Sequence, residues 1–232
     1  MGSDDLFKRA KARKQKGLVR ESNKKEPYDK FLIVSEDTKS STIYLEEAVA
    51  YYRIQSANFA IIGLGKDPLD VVCEAEKLYS SELKSHKPDY DKVFCVFDRD
   101  AHTRYYNALQ KIESLNKKHI SKTELPIFNA ITSNPCFELW IYLHFKYTTK
   151  SFTPTQKKSI GEKMISELLS VYPEYAKNSK GYFTELFPRL NPTAISNAEK
   201  LLAHREETGS ETHTKVVTLI KYIQDLKNQK PQ

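Results

Sequence analysis

The chain has 232 residues, with 37 Lys and Arg against 30 Asp and Glu, for a formal net charge of +7. With 39% hydrophobic and 11% aromatic residues it can build a packed core, which excludes whole-chain disorder, collagen-like repeats and low-complexity architecture. Its longest apolar runs, around 93–97 and 139–143, fall far short of the roughly 18 residues a spanning helix needs, so no membrane span is expected.

Residues 1–27 hold nine Lys or Arg against four Asp or Glu, +5 of the total charge, with few apolar residues and no sustained period. Such a segment cannot offset its ordering entropy by burial, and a mobile basic tail is expected. It would attract a phosphate backbone through a salt-sensitive field, or simply aid solubility. The opening Asp4 and Asp5 are followed by Lys and Arg rather than the apolar stretch of a secretory signal, so export is not expected. Cys73, Cys95 and Cys136 form no CxxC pair and read as buried thiols of a cytoplasmic protein.

FLIVS at 31–35 reads as a strand ending at Glu36, followed by the polar loop DTKSS and a helical pattern over 42–54. ANFAII at 57–62 offers a second strand, after which Asp67 is placed to cap a helix with Pro68 at its first position. VFCVF at 93–97 has the continuous apolar character of a parallel strand buried on both faces, and it runs into Asp98-Arg99-Asp100. A helix over 105–115, a fourth strand over 125–131, and a helix over 136–145 opened by Ser133-Asn134-Pro135 complete the pattern. The alternation predicts an α/β fold over 28–150, with a mostly parallel sheet of about four strands flanked by helices. From 153 onward strands disappear, and helices over 155–171, 182–186, 193–206 and 212–226 make 151–232 a helical extension.

In an open parallel sheet, chemistry gathers at the carboxyl ends of the strands where the winding reverses. Glu36, Asp98 and Asp100 occupy such ends, and they converge if the first and third strands are neighbours. Like charges at that range need a cation, and hard oxygen donors suit Mg²⁺ or Mn²⁺, whose natural substrate is a phosphate ester. The alternative is that Asp98 and Asp100 only form a turn and cap a helix. Glu138, acidic amid Phe137, Trp140 and Ile141, reaches the same end of the sheet and is a candidate ligand for a second metal. Lys39, Arg99, His102 and Asn134 are candidate substrate contacts, as are the hydroxyls of Ser40 and Ser41. Tyr172, Tyr175, Tyr182, Phe183 and Phe187 either stack on bases or form core or a homodimer interface. The histidines lack zinc spacing, Gly63-Leu64-Gly65 lacks the rest of a dinucleotide fingerprint, and no P-loop occurs.

FLIVSEDTKSSTIYLEEA (31–48), GKDPLDVVCEA (65–75), KVFCVFDRDAH (92–102) and SNPCFELWIYLHF (133–145) together resemble the RloB-like, or AbiLii-like, family of bacterial phage-defence proteins of the Toprim superfamily. FPRLNPTAISNAEKLL (187–202) is similar as well. The resemblance implies a Toprim-like, Rossmann-like sheet, with Glu36 as metal ligand or general acid/base and Asp98 and Asp100 as Mg²⁺ ligands. It further implies a nuclease acting on RNA, tRNA included, or on DNA, in abortive infection, beside an ABC or SMC-like ATPase partner. A non-catalytic module that binds nucleic acid or a partner is the competing expectation. A topoisomerase or primase would need domains for which the chain has no room.

Overall fold

The computed structural model describes residues 29–55, 59–84, 90–99, 102–119 and 125–228; the basic segment 1–27 and Asp100 lie outside the described residues. Strand β1 (Phe31–Ser35) is buried at every position, as a strand covered on both faces must be. Helix α1 (Ser40–Tyr51) leads to β2 (Phe59–Gly63), α2 (Pro68–Lys84) to β3 (Lys92–Asp98), and α3 (Tyr105–Lys118) to β4 (Phe128–Asn134). The four strands are parallel in the order β2-β1-β3-β4, so β1 and β3 are direct neighbours and the winding reverses between them. This is a Rossmann-like arrangement.

The pleat sends alternate residues of each strand to opposite faces, and each face has its own core. Leu32, Val34, Val93, Cys95 and Phe97 pack on Val71, Val72 and Ala75 of α2 and on Ala108 and Ile112 of α3. Phe31, Ile33, Phe94 and Val96 face Tyr44, Leu45 and Ala48 of α1 together with the helices that follow the sheet. Those are α4 (Glu138–Tyr142), α5 (Ile160–Val171), α6 (Tyr182–Thr208) and α7 (Val216–Asn228). At the start of α2 the expected cap is in place, since Asp67 Oδ1 accepts the Leu69 and Asp70 amides at 2.9 and 3.2 Å.

Four details differ from the sequence expectation. Cys73, expected to be a buried thiol like Cys95 and Cys136, is exposed, because Val71, Val72 and Ala75 take the buried face of α2. The sheet has a fifth strand, β5 (His213–Thr214), antiparallel to the end of β4, in a region expected to be helical. Side chains sealing this edge explain it: Ser133 and Thr214 hydroxyls meet at 2.9 Å, and His213 Nε2 meets Thr132 Oγ1 at 2.9 Å. The two helices expected around 187–192 are one, because Phe183, Leu186, Phe187, Asn191, Ala194, Ala198 and Leu201 continue a single buried face past Pro188 and Pro192. Packing there outweighs the cost of prolines in a helix interior. Residues 136–145 are α-helical only over α4, and their ends tighten into i→i+3 bonds such as Leu139 N–H to Cys136 O and Phe145 N–H to Tyr142 O.

The end of β2 braces the loop that follows β1. Leu64 and Gly65 amides donate to Ser35 and Glu36 carbonyls at 2.9 and 2.7 Å. A Cβ on Gly63 would stand 2.6 Å from Asp37 O, 2.8 Å from Thr42 Oγ1 and 2.9 Å from Thr38 Cα. Two of these are backbone atoms that yield only if the loop moves. Gly63→Ala is therefore expected to destabilise the chain by about 1–3 kcal/mol in urea unfolding. Gly161→Ala, where an added Cβ meets nothing within 4 Å, leaves stability unchanged or slightly raised.

Burial holds the imidazoles of His144 and His213 down at about 4. Both are neutral in the folded chain and titrate near 6.5 once unfolded, so unfolding takes up protons and their contribution to stability rises with pH in this window. That contribution is complete above about pH 6.5 and is lost as pH falls toward about 4, by roughly 3 kcal/mol per histidine. The stability difference between wild type and His213→Gln, followed by urea unfolding from pH 7 to 4.5, should shift in favour of the variant as pH falls. A pH-independent difference would contradict this account.

Candidate functional site

Parallel pairing of β1 with β3 sets Ser35 opposite Val96, and the Glu36 amide extends the ladder by donating to Val96 O at 2.8 Å. The Glu36 side chain then turns toward the end of β3. Its Oε2 accepts the Asp98 amide at 2.8 Å, and its Oε1 lies 2.7 Å from His102 Nε2. Asp98 is the last residue of β3, beside Ser133 of β4, so its carboxyl group opens at the same end of the sheet. From the far side comes Glu138 at the first turn of α4, only 1% exposed.

These carboxylates share a cavity of about 240 Å³ lined by Glu36, Asp37, Ser41, Asp98, His102, Cys136, Glu138, Ser159, Glu162 and Lys177, among others. Burial, then the charges of Glu138 and Glu36, push the Asp98 carboxyl well above the usual carboxylate range, against a hydrogen bond from the Phe137 amide. Glu36 is raised too, chiefly by burial, while the Asp98 amide and His102 act in the opposite direction. Burial, Glu138 and Asp98 likewise push the Cys136 thiol far up, which makes it a poor nucleophile.

Glu138 is held by groups from distant parts of the chain. Tyr175 donates its hydroxyl to Glu138 Oε1 at 2.9 Å, and the Ser40 hydroxyl stands 3.4 Å from the same oxygen and donates to Lys177 O at 3.1 Å. Lys177 Nζ lies 3.7 Å from Glu138 Oε1. Burial would lower the Lys177 pKa, but the fields of Glu138 and Asp37 outweigh it and hold the ammonium charged.

The structure thus brings together Glu36, Asp98, Glu138 and His102. Ser41 also lines the cavity and Ser40 adjoins Glu138, whereas Lys39, Arg99 and Asn134 stand elsewhere. Lys39 is exposed outside the cavity lining, and its amide donates to Asp37 Oδ1 at 2.7 Å in the turn before α1. Arg99 places its guanidinium over the rings of Tyr105 and Tyr106, at 5.2 and 5.0 Å. Asn134 closes the β4 ladder opposite His213 and does not line the cavity. Tyr172, Tyr175, Tyr182, Phe183 and Phe187 are buried together, so among the two expectations for them packing holds and base stacking does not. Sequence reasoning missed Lys177, and it named Tyr175 only as an aromatic for stacking or packing, without its hydrogen bond to Glu138. Tyr175 and Lys177 lie in the connection between α5 and α6, about which helix periodicity is silent, and they meet Ser40 across more than 130 residues of chain.

The carboxylates of Glu36, Asp98 and Glu138 are hard oxygen donors, and their crowding is of the kind a divalent cation relieves. Among the described residues, no three His, Cys, Asp or Glu groups stand close enough to enclose a metal ion, and Asp100 is outside that set.

A family model described as RloB-like protein matches residues 31–223. No curated protein and no solved structure matches the chain. The matched span runs from the first residue of β1 into α7 and takes in Glu36, Asp98, Glu138, Tyr175 and Lys177, the residues from which the acidic cavity is built, and the chain belongs to the RloB-like protein family.

Proposed function

We propose that the chain is a metal-dependent nuclease of an anti-phage, abortive-infection system, with a Toprim-type site that hydrolyses phosphodiesters in RNA, tRNA among them, or in DNA. Membership of a defence-associated family supports the setting. The observation that carries the chemistry is the convergence of Glu36, Asp98 and Glu138 on one cavity at the β1/β3 reversal, where burial and mutual charge raise the Asp98 carboxyl.

In this reading Glu36, Asp98 and Asp100 hold Mg²⁺ or Mn²⁺, with Glu138 as a further ligand. A cation held there would supply stabilisation of charge on the phosphoryl oxygens and an oriented water nucleophile. The chain's own residues provide the rest. The Asp98 amide fixes the rotamer of Glu36, and Glu36 in turn aims the His102 ring into the cavity. Tyr175 fixes the side chain of Glu138 with its hydroxyl, while Ser40 beside it donates to the Lys177 carbonyl. The proposed setting is cytoplasmic, with an ABC or SMC-like ATPase as partner and regulator. No helix among the described residues is long and apolar enough to cross a membrane.

A second reading is a binding module that neither holds a metal nor cleaves. It draws on the pairings already made within the site: Glu36 with His102, and Glu138 with Tyr175. Cleavage of labelled tRNA, single-stranded RNA and plasmid DNA in Mg²⁺ or Mn²⁺ separates the two. Wild type is expected to cut at least one, and Glu36→Gln and Asp98→Asn should each lose about 100-fold or more in rate while keeping a cooperative melt. Cleavage unchanged by either substitution, or absent even with the ATPase partner and a phage trigger supplied, would refute the nuclease reading.

A further inference from the structure

The cavity is strongly acidic. Glu36, Asp37, Asp98, Glu138 and Glu162 all line it, and among the described lining residues the one Lys or Arg is Lys177. A phosphodiester approaching these carboxylates is an anion entering a negative field, and a cationic side chain at the cavity edge offsets that field beside a bound divalent cation.

Lys177 is built for exchange rather than for a fixed ion pair. Its main chain is pinned, since Ser40 donates to its carbonyl at 3.1 Å and Tyr175, two residues earlier, is buried against Glu138. Its side chain is 52% exposed, and Nζ stands 3.7 Å from Glu138 Oε1, beyond hydrogen-bonding distance. A structural salt bridge to a buried carboxylate would close to about 2.8 Å. Tyr175, at 2.9 Å, already supplies the close hydrogen bond to Glu138. The ammonium is left with its three donors uncommitted by that carboxylate and a flexible stem at the cavity mouth.

We infer that Lys177 is the substrate-phosphate ligand of this site: its ammonium leaves the edge of Glu138 and binds a non-bridging oxygen of a nucleic-acid phosphodiester. This assignment rests on the nuclease reading above and identifies the residue that draws the substrate into it.

The test measures binding separately from cleavage. Fluorescein-labelled single-stranded RNA and DNA oligonucleotides are titrated with the full chain carrying Glu36→Gln, alone and combined with Lys177→Met, Lys177→Arg or Lys117→Met, over a range of salt. Lys117 is exposed on α3, outside the cavity lining. Lys177→Met should weaken binding about tenfold at low salt and lower the salt slope by about one ion, while Lys177→Arg retains most of both and Lys117→Met changes neither. Should Lys177→Met not fold, Lys177→Gln carries the same comparison. Affinity and slope that match the Lys117→Met control, or the absence of binding to either oligonucleotide, would overturn the assignment. In the cleavage assay, wild type that cuts while Lys177→Met cuts equally well removes Lys177 and leaves the nuclease standing. Wild type that never cuts, with the salt slope still reporting Lys177, removes the nuclease and leaves the phosphate ligand.

Discussion

The hydrogen bond from the Glu36 amide to the Val96 carbonyl carries the β1–β3 ladder one residue beyond the strand, and the acidic site depends on that extension. It places the Glu36 side chain beside the Asp98 amide, which binds Oε2 and so holds one carboxylate against the strand that bears the other. Two acids converging in a buried space repel, and the folded chain meets that cost with backbone N–H groups: Asp98 for Glu36, and Phe137 for Asp98. A parallel sheet that reverses between β1 and β3 makes this economical, because strand ends at the reversal are free of crossing connections.

Around that centre the chain after the sheet closes the cavity. Glu138 enters from α4, Ser159 and Glu162 from the start of α5, and Tyr175 and Lys177 from the connection to α6. This connection is itself anchored to α1, where Glu47 accepts the Gly181 and Phe183 amides at 2.5 and 3.0 Å. Phe183 and Phe187 stack on each other and meet Tyr52, joining α6 to α1 through one aromatic cluster. The helical region is therefore a wall of the site, and its packing sets where Glu138 and Lys177 stand.

The hydroxyls after β1 show how a correct location can carry a different role. Ser40 and Ser41 lie at the site, as their position past a strand end implies. Yet Ser41 pairs with Ser35 at 2.6 Å, and Ser40 bridges Glu138 and the main chain of Lys177. Ser41 lines the cavity, and the hydroxyls of both residues hold neighbouring groups in place. Gly63 is similar: in the sequence it shows only an incomplete dinucleotide fingerprint, whereas its lack of a Cβ leaves room for the Asp37–Thr38 backbone, which would stand within 3 Å of any Cβ there.

The parallel α/β core was legible because FLIVS and VFCVF can only be strands buried on both faces, and Asp67-Pro68 announces its helix through local capping chemistry. Glu36 and Asp98 were legible for the same reason, as acids standing at the ends of such strands. Local patterns carry that information because period and capping act within a few residues. Tertiary structure alone decided that α6 runs unbroken through Pro188 and Pro192, that His213–Thr214 closes the sheet edge, and that Tyr175 and Lys177 reach Glu138. Each of these depends on groups tens of residues apart, whose burial and hydrogen bonding outweigh the local preference, and no short window of sequence contains both partners.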